Sequence, residues 1–218
     1  MNTPDLLERR PLATRQLRAS HTAARWVTGL GVTPNAISVA GMFCGIAAGI
    51  ALALTSSAPE HARWLWFAGA ALIQLRLLAN MLDGMVALES GTSSRVGELF
   101  NEAPDRVSDA ATLIGLGYAA ASVPVLGYIA ACVALFVAYV RAIGKAAGAQ
   151  QEFCGPMAKP QRMFFATLAA LWCCATPAAW QMIGPLSVPA GVLWLIIIGG
   201  VVTAVRRLVR IGRALQAI

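Results

Sequence analysis

The apolar positions of this chain fall into long unbroken runs, not into the alternating or one-faced patterns of a soluble domain. Residues 35–54, 163–181 and 188–205 carry no charged side chain, and residues 64–82 carry only Arg76. A helix rising about 1.5 Å per residue needs about 20 such residues to cross a hydrocarbon core roughly 30 Å thick, so each run predicts a membrane span. Residues 110–140 are too long for one ordinary span and too short for two with a turn. Pro124 predicts a break near their middle. If two helices are fitted, the first begins near Asn101 to Asp105, which sets polar residues on the inner turns of a third span.

Charge placement separates six spans from five. With six, Arg9, Arg10, Arg15, Arg18, Arg25, Arg95, Arg106, Arg141, Lys145, Lys159, Arg162, Arg206, Arg207, Arg210 and Arg213 share one side, and Arg63 alone lies opposite. Both termini and the polar stretch are then expected on the cytoplasmic face. Residues 5–30 alternate Leu, Ala, Trp and Val with Arg at helix-like intervals, which predicts an amphipathic helix lying on the membrane and leading to Thr33-Pro34-Asn35. The expected fold is an all-α integral membrane protein: one domain with a juxtamembrane arm over 1–32, a six-helix bundle over 33–205 and a basic cytoplasmic tail over 206–218. No cleavable leader is expected, because the first long apolar run has full span length.

Composition agrees, at 58% hydrophobic and 12% charged, with a net charge of +7. The arginines flank spans instead of forming a soluble basic face, so the excess suits anionic lipid and argues against a nucleic-acid partner. Fifteen arginines against two lysines, with abundant alanine, suggest a GC-rich bacterial genome and an inner-membrane location. The five cysteines, Cys44, Cys132, Cys154, Cys173 and Cys174, have no paired metal-site spacing and read as buried small apolar residues. Gly41, Gly45 and Gly49 make consecutive G-x-x-x-G steps, expected to admit a neighbouring helix of the bundle. Trp64, Trp66, Trp172, Trp180 and Trp194 are expected to face the interface or lipid. His21 and His61 read as peripheral.

The candidate chemistry lies between Asn80 and Asp109. Asn80, Asp83, Gly84 and Ala87 follow an i, i+3, i+4, i+7 pattern and share one helix face. Gly97, Asn101, Asp105 and Asp109 follow an i+4 pattern on the next helix. Two such faces can converge, and oxygen ligands beside small residues suit a hard cation, Mg²⁺ or Mn²⁺, holding a phosphate or pyrophosphate. Helix capping by Asp105 and Asp109 after Pro104 is the structural alternative, but it leaves the matched glycines unexplained. Arg76 lies one turn before Asn80 on the same face, where an ionisable residue is a functional candidate.

This stretch resembles the signature of the CDP-alcohol phosphotransferase family, D-x-x-D-G-x-x-A-R, eight residues, then G-x-x-x-D-x-x-x-D. Asp83, Gly84, Ala87, Gly97 and Asp105 fall in register, and Thr33-Pro34-Asn35 is similar to the family's entry to its first span. Asn80 and Asn101 stand where the first and third aspartates belong, and Leu88 stands where arginine belongs. The resemblance implies transfer of a phosphatidyl group from a CDP-linked lipid donor such as CDP-diacylglycerol to an alcohol acceptor, releasing CMP in phospholipid biosynthesis. It further implies metal at Asp83, Asn80, Asn101 and Asp105, with Asp105 as general base; Asp109, which continues that face one turn on, is expected as a compensating metal ligand. Substrate contacts are then expected at Gly84, Ala87, Gly97, Arg76, Arg141, Lys159 and Arg162, the last two within Gly155-Pro-Met-Ala-Lys-Pro-Gln-Arg162 and suited to an anionic acceptor. A homodimer is suggested by the family alone. The competing reading is a catalytically weakened relative that binds CDP-lipid or serves as a scaffold, with Asn80, Asn101 and Leu88 as its grounds.

Overall fold

The computed structural model describes residues 31–89 and 95–216, together with 22, 26 and 29. The expected interfacial helix over 5–30 therefore falls almost wholly outside the described residues. Six long helices follow: α1 (Pro34–Leu54), α2 (Ala62–Glu89), α3 (Arg95–Tyr118), α4 (Pro124–Ala146), α5 (Lys159–Ala175) and α6 (Val188–Gln216). A two-strand hairpin, β1 (Met182–Ile183) with β2 (Leu186–Ser187), precedes α6.

Local chemistry explains where the helices begin. Thr33 is extended and its side chain accepts from the Ala36 N–H, while Pro34 sits in the first turn, where its missing donor costs nothing. Pro124 opens α4 in the same way, as the sequence predicts. Pro104, by contrast, lies inside α3. The third helix thus begins a full turn or more earlier than expected, and Asp105 and Asp109 are interior residues of it, not end caps.

α1 is the central post, packing against both α2 and α3, whereas α2 and α3 touch one another little. The glycine stripe makes this possible. A Cβ on Gly45 would overlap Ser108, one on Gly49 would overlap the Ala111 carbonyl, and one on Gly41 would lie 3.0 Å from Ala79 Cβ. The stripe is therefore used within the bundle. α4 packs on α3 and α6, and α5 packs on α2. One apolar core links these helices through Leu52, Trp66, Leu113, Leu116, Met163 and Leu193.

Among the described residues, four helical segments are long and apolar enough to cross a membrane: Pro34–Leu54, Pro59–Ala87, Pro124–Ala146 and Val188–Gln216. α3 carries too many charges, and α5, at 17 residues, is about 25 Å long, short of the roughly 30 Å core. α5 ends at Ala175 because Pro177 follows, where the apolar pattern predicts a run to residue 181. α6 does the reverse and continues through residues 206–216.

Two expectations need correction. Trp66 is buried in the core at 1% exposure while Trp64, two residues away and so nearly opposite on a helix, is 73% exposed. All five cysteines are free, but only Cys173 is buried, and Cys132 is exposed on an apolar helix surface. His61 is an exposed neighbour of Glu60 at 3.2 Å, in keeping with a peripheral residue.

The segment before α5 is moored to α6. The Met157 N–H donates to Thr203 Oγ1 at 2.9 Å, and Arg207 donates to the Cys154 carbonyl at 3.0 Å and the Val137 carbonyl at 3.1 Å. Gly155, at φ +118°, is required here, since any side chain would be strained and would strike Thr203.

Candidate active site

The site fills the gap between α2 and α3, with α1 behind it and the start of α5 across it. Asp83 is buried, and one carboxylate oxygen accepts a 2.6 Å hydrogen bond from Ser38 on α1. Its other oxygen, Oδ1, is buried without a hydrogen-bond partner among the described residues. Leaving a buried carboxylate oxygen unmatched is costly, and an oxygen-seeking ligand would satisfy it.

Arg76 joins the two helices. Its Nε donates to Ser108 Oγ at 2.8 Å, and its Nη2 lies 3.0 Å from Asp105 Oδ1 and 2.8 Å from Asp109 Oδ1. The second oxygen of Asp109 takes Arg162 at 3.1 Å, and Arg162 also donates to the Met157 carbonyl. Both Asp109 oxygens are thus held by arginines, where the sequence pattern suggests a further metal donor. Arg162, almost wholly buried, is likewise committed to the protein interior.

Lys159 reaches the centre from the first residue of α5. Its ammonium pairs with Asp105 Oδ2. With the Asn80 amide oriented to suit its neighbours, the oxygen of Asn80 accepts from Lys159 Nζ at 2.7 Å and its nitrogen donates to Asp105 Oδ1 at 2.7 Å. Asp83 feels both charges, the repulsion of Asp105 and the attraction of Lys159. Asn80, Asp83, Asp105 and Lys159 therefore form one buried polar cluster.

The remaining expected residues lie around it. Gly84 and Ala87 are buried on the Asp83 face, and Gly97 and Asn101 are half-buried on α3. The side chains of Leu88 and Glu98 lie outside the described residues. Arg141 does not join the cluster: its Nη2 bonds both Glu102 oxygens, at 2.7 and 2.8 Å, and its guanidinium lies over the Phe153 ring. Glu102, three residues before Asp105 and so about 60° from it round the helix, thereby ties α3 to the end of α4. Arg106 shares Glu102 at 3.1 Å and approaches Asp105 at 3.8 Å.

The sequence reading omits Ser38 and Ser108. Each sits where a small hydroxyl faces a glycine stripe or a carboxylate, and the signal was available in part: Ser38 lies three residues before Gly41 on α1. Which partner each hydroxyl meets depends on how the helices pack.

A divalent cation fits this donor set in part. Asp83 Oδ1 is the orphan such an ion would satisfy, and Asn80 and Asp105 supply neighbouring oxygens. Among the described residues no three carboxylate, histidine or cysteine side chains gather into a ligand set of their own. That follows from amides standing at two of the four motif positions.

Comparison with known proteins bears on this arrangement. The family model for CDP-alcohol phosphatidyltransferase matches residues 31–206. Phosphatidylinositol phosphate synthase of Mycobacteroides abscessus is 26% identical over 204 residues, covering 91% of this chain and 80% of that protein. Two crystal structures of Mycobacterium tuberculosis phosphatidylinositol phosphate synthase share the fold at 24% identity. The one with CDP-DAG bound has a TM-score of 0.69, covering 89% of this chain and 94% of the other. The one in complex with manganese and citrate has a TM-score of 0.72, covering 91% of each. The chain belongs to the CDP-alcohol phosphatidyltransferase family. It is an all-helical membrane protein of a transferase class that moves a phosphatidyl group from a CDP-linked lipid to an alcohol in phospholipid synthesis.

Proposed function

We propose that this chain is an active, divalent-metal-dependent transferase that takes the phosphatidyl group of CDP-diacylglycerol and passes it to an alcohol that brings its own phosphate, as an inositol phosphate does. The observation that carries the reading is the burial of Asp83 and Asp105, from two helices, in one cluster whose Asp83 Oδ1 is left unmatched. The anionic acceptor is supported by the names of the relatives and by the charge around the cluster. Arg76, Arg106, Arg141, Lys159 and Arg162 outweigh Asp83, Glu102, Asp105 and Asp109 there.

Asp83 would hold the ion, with Asn80 and Asp105 paired to Lys159 beside it. When bound it neutralises the donor's pyrophosphate and polarises its phosphorus–oxygen bonds. Arg76 and Lys159 hold the Asp105 carboxylate in place, where it takes the proton of the acceptor hydroxyl. The freed oxygen attacks the lipid-side phosphorus, the bond from that phosphorus to the oxygen of CMP breaks, and CMP departs with the electron pair. The proton on Asp105 passes to solvent. Asp109, held between two arginines, positions Arg76 in this scheme and is not a donor to the ion.

In the bilayer, α3 and α5 complete six spans, with Asp105 and Asp109 of α3 turned inward to Arg76 and Arg162. Both termini and the site lie on the cytoplasmic face of a bacterial inner membrane, supported by the flanking arginines. Two chains associate as a homodimer, as the family resemblance implies.

The test is CMP release from CDP-diacylglycerol by purified protein with Mn²⁺ or Mg²⁺, across phosphorylated and unphosphorylated alcohols, with Asp105→Asn as control. Release that depends on a phosphorylated acceptor is expected. Release with serine or unphosphorylated polyols alone would overturn the acceptor class. Binding of CDP-lipid without any release would favour the scaffold reading, for which Asn80, Asn101 and the ion-paired state of Asp105 speak.

A further inference from the structure

Lys159 is an expensive residue where it stands. It opens α5, where the helix macrodipole is positive and repels an ammonium, and its side chain is only 15% exposed. Pro160 in the first turn fixes the backbone beside it, so the ammonium is delivered to a set place. There it contacts Asp105 and Asn80, one residue from each of the two helices that carry the motif. Ordinary membrane-face placement of cations does not require this, because a lysine serving that purpose would extend toward headgroups.

One sequence departure, Asn80, falls at the same spot, and another, Asn101, lies one turn before Asp105 on α3. Asn80 and Asn101 each replace a carboxylate with an amide of nearly the same shape, removing two negative charges while leaving two carbonyl oxygens. An amide oxygen accepts from an ammonium as readily as a carboxylate does but contributes no net charge. A site with four carboxylates balances two divalent ions. A site with two carboxylates and a buried ammonium carries one net negative charge, which a single divalent ion already more than offsets before the donor enters, and a second ion would have to displace the ammonium seated between Asn80 and Asp105. Lysine and asparagines thus read as matched parts of one change.

We infer that the Lys159 ammonium occupies the position a second cation would take between Asn80 and Asp105, so that this chain holds a single divalent cation, at Asp83. The inference rests on the metal-dependent reading above. Lys159 is compact and many-donored, as a surrogate for a small hard cation must be, and an arginine fork would not be equivalent.

The experiment is a Mn²⁺ titration followed by electron paramagnetic resonance on the full chain in nanodiscs containing CDP-diacylglycerol, which counts ions without reference to turnover. Wild type is expected to bind one Mn²⁺ per chain. Asn80→Asp with Asn101→Asp is expected to stay at one while Lys159 remains. Adding Lys159→Met to that pair is expected to raise the count to two. Two ions in wild type, or none, would overturn the inference, as would a second ion in the double variant that keeps lysine. Should the triple variant fail to fold, wild type and the double variant still decide it. CMP release by the same nanodiscs is read separately: one bound ion without turnover would sink the catalytic reading and leave the count standing.

Discussion

Arg76 meets Ser108, Asp105 and Asp109 with a single guanidinium, in a buried position where each carboxylate would otherwise be uncompensated. Breaking a buried pair of this kind costs about 3–5 kcal/mol. Arg76→Met is accordingly expected to lower the thermal unfolding temperature in detergent sharply. Arg76→Lys should recover only part of the loss, because an ammonium cannot span the same acceptors as a fork. Asp105→Asn behaves differently. Arg76 keeps Asp109, so the fold should survive, while CMP release should fall by about 10²–10⁴-fold if the carboxylate moves the proton; wild-type turnover would remove Asp105 from that role. At this scale much was legible. Asn80, Asp83 and Asp105 announce themselves by spacing, since i, i+3 and i+4 steps share a face whatever surrounds them. The engagement of Asp109 and Arg141 was not legible, because Arg162 and Glu102, which capture them, are distant from them in sequence.

Between helices the decisive contacts are those of backbone with backbone. Gly45 and Gly49 let α1 lie against α3 closely enough that Thr112 Oγ1 bonds the Gly45 carbonyl at 3.3 Å. Ser38, on the same helix, is thereby set to bond Asp83. Gly49→Val is therefore expected to destabilise the protein by at least the roughly 1–3 kcal/mol typical of overpacking, and to lower CMP release in parallel. Gly212→Ala, with open space beside it, should leave both unchanged. A melting temperature unmoved by Gly49→Val would refute the close approach. Helix existence followed from apolar run length and Pro124, but the ends were less readable. Pro104 looked like a boundary and is accommodated inside α3, whereas α5 stops early at Pro177 and α6 runs on without any breaker.

For the whole molecule, the outer surface is apolar, with Phe43, Phe67, Val125, Phe136, Phe164 and Ile198 exposed, while the buried charges gather at one end. Such a surface suits lipid, and the one-ended polarity gives a direction. In inside-out and right-side-out vesicles of a cysteine-free background, a cysteine at Glu60 is expected to react from the side opposite to one at Arg210; labelling of both from the same side would contradict the six-span topology. The full-length helix α6 has a further bearing on that architecture. At 29 residues it is about 43 Å long, well beyond the bilayer core, and its overhang is where Arg207 grips the backbone at Cys154 and Val137. The basic run that reads as a disposable tail is in fact a mooring post for the segment that delivers Lys159. Shortening the chain to residue 205 would leave every apolar span intact, and Thr203 on Met157, yet strip that segment of its hold on Arg207.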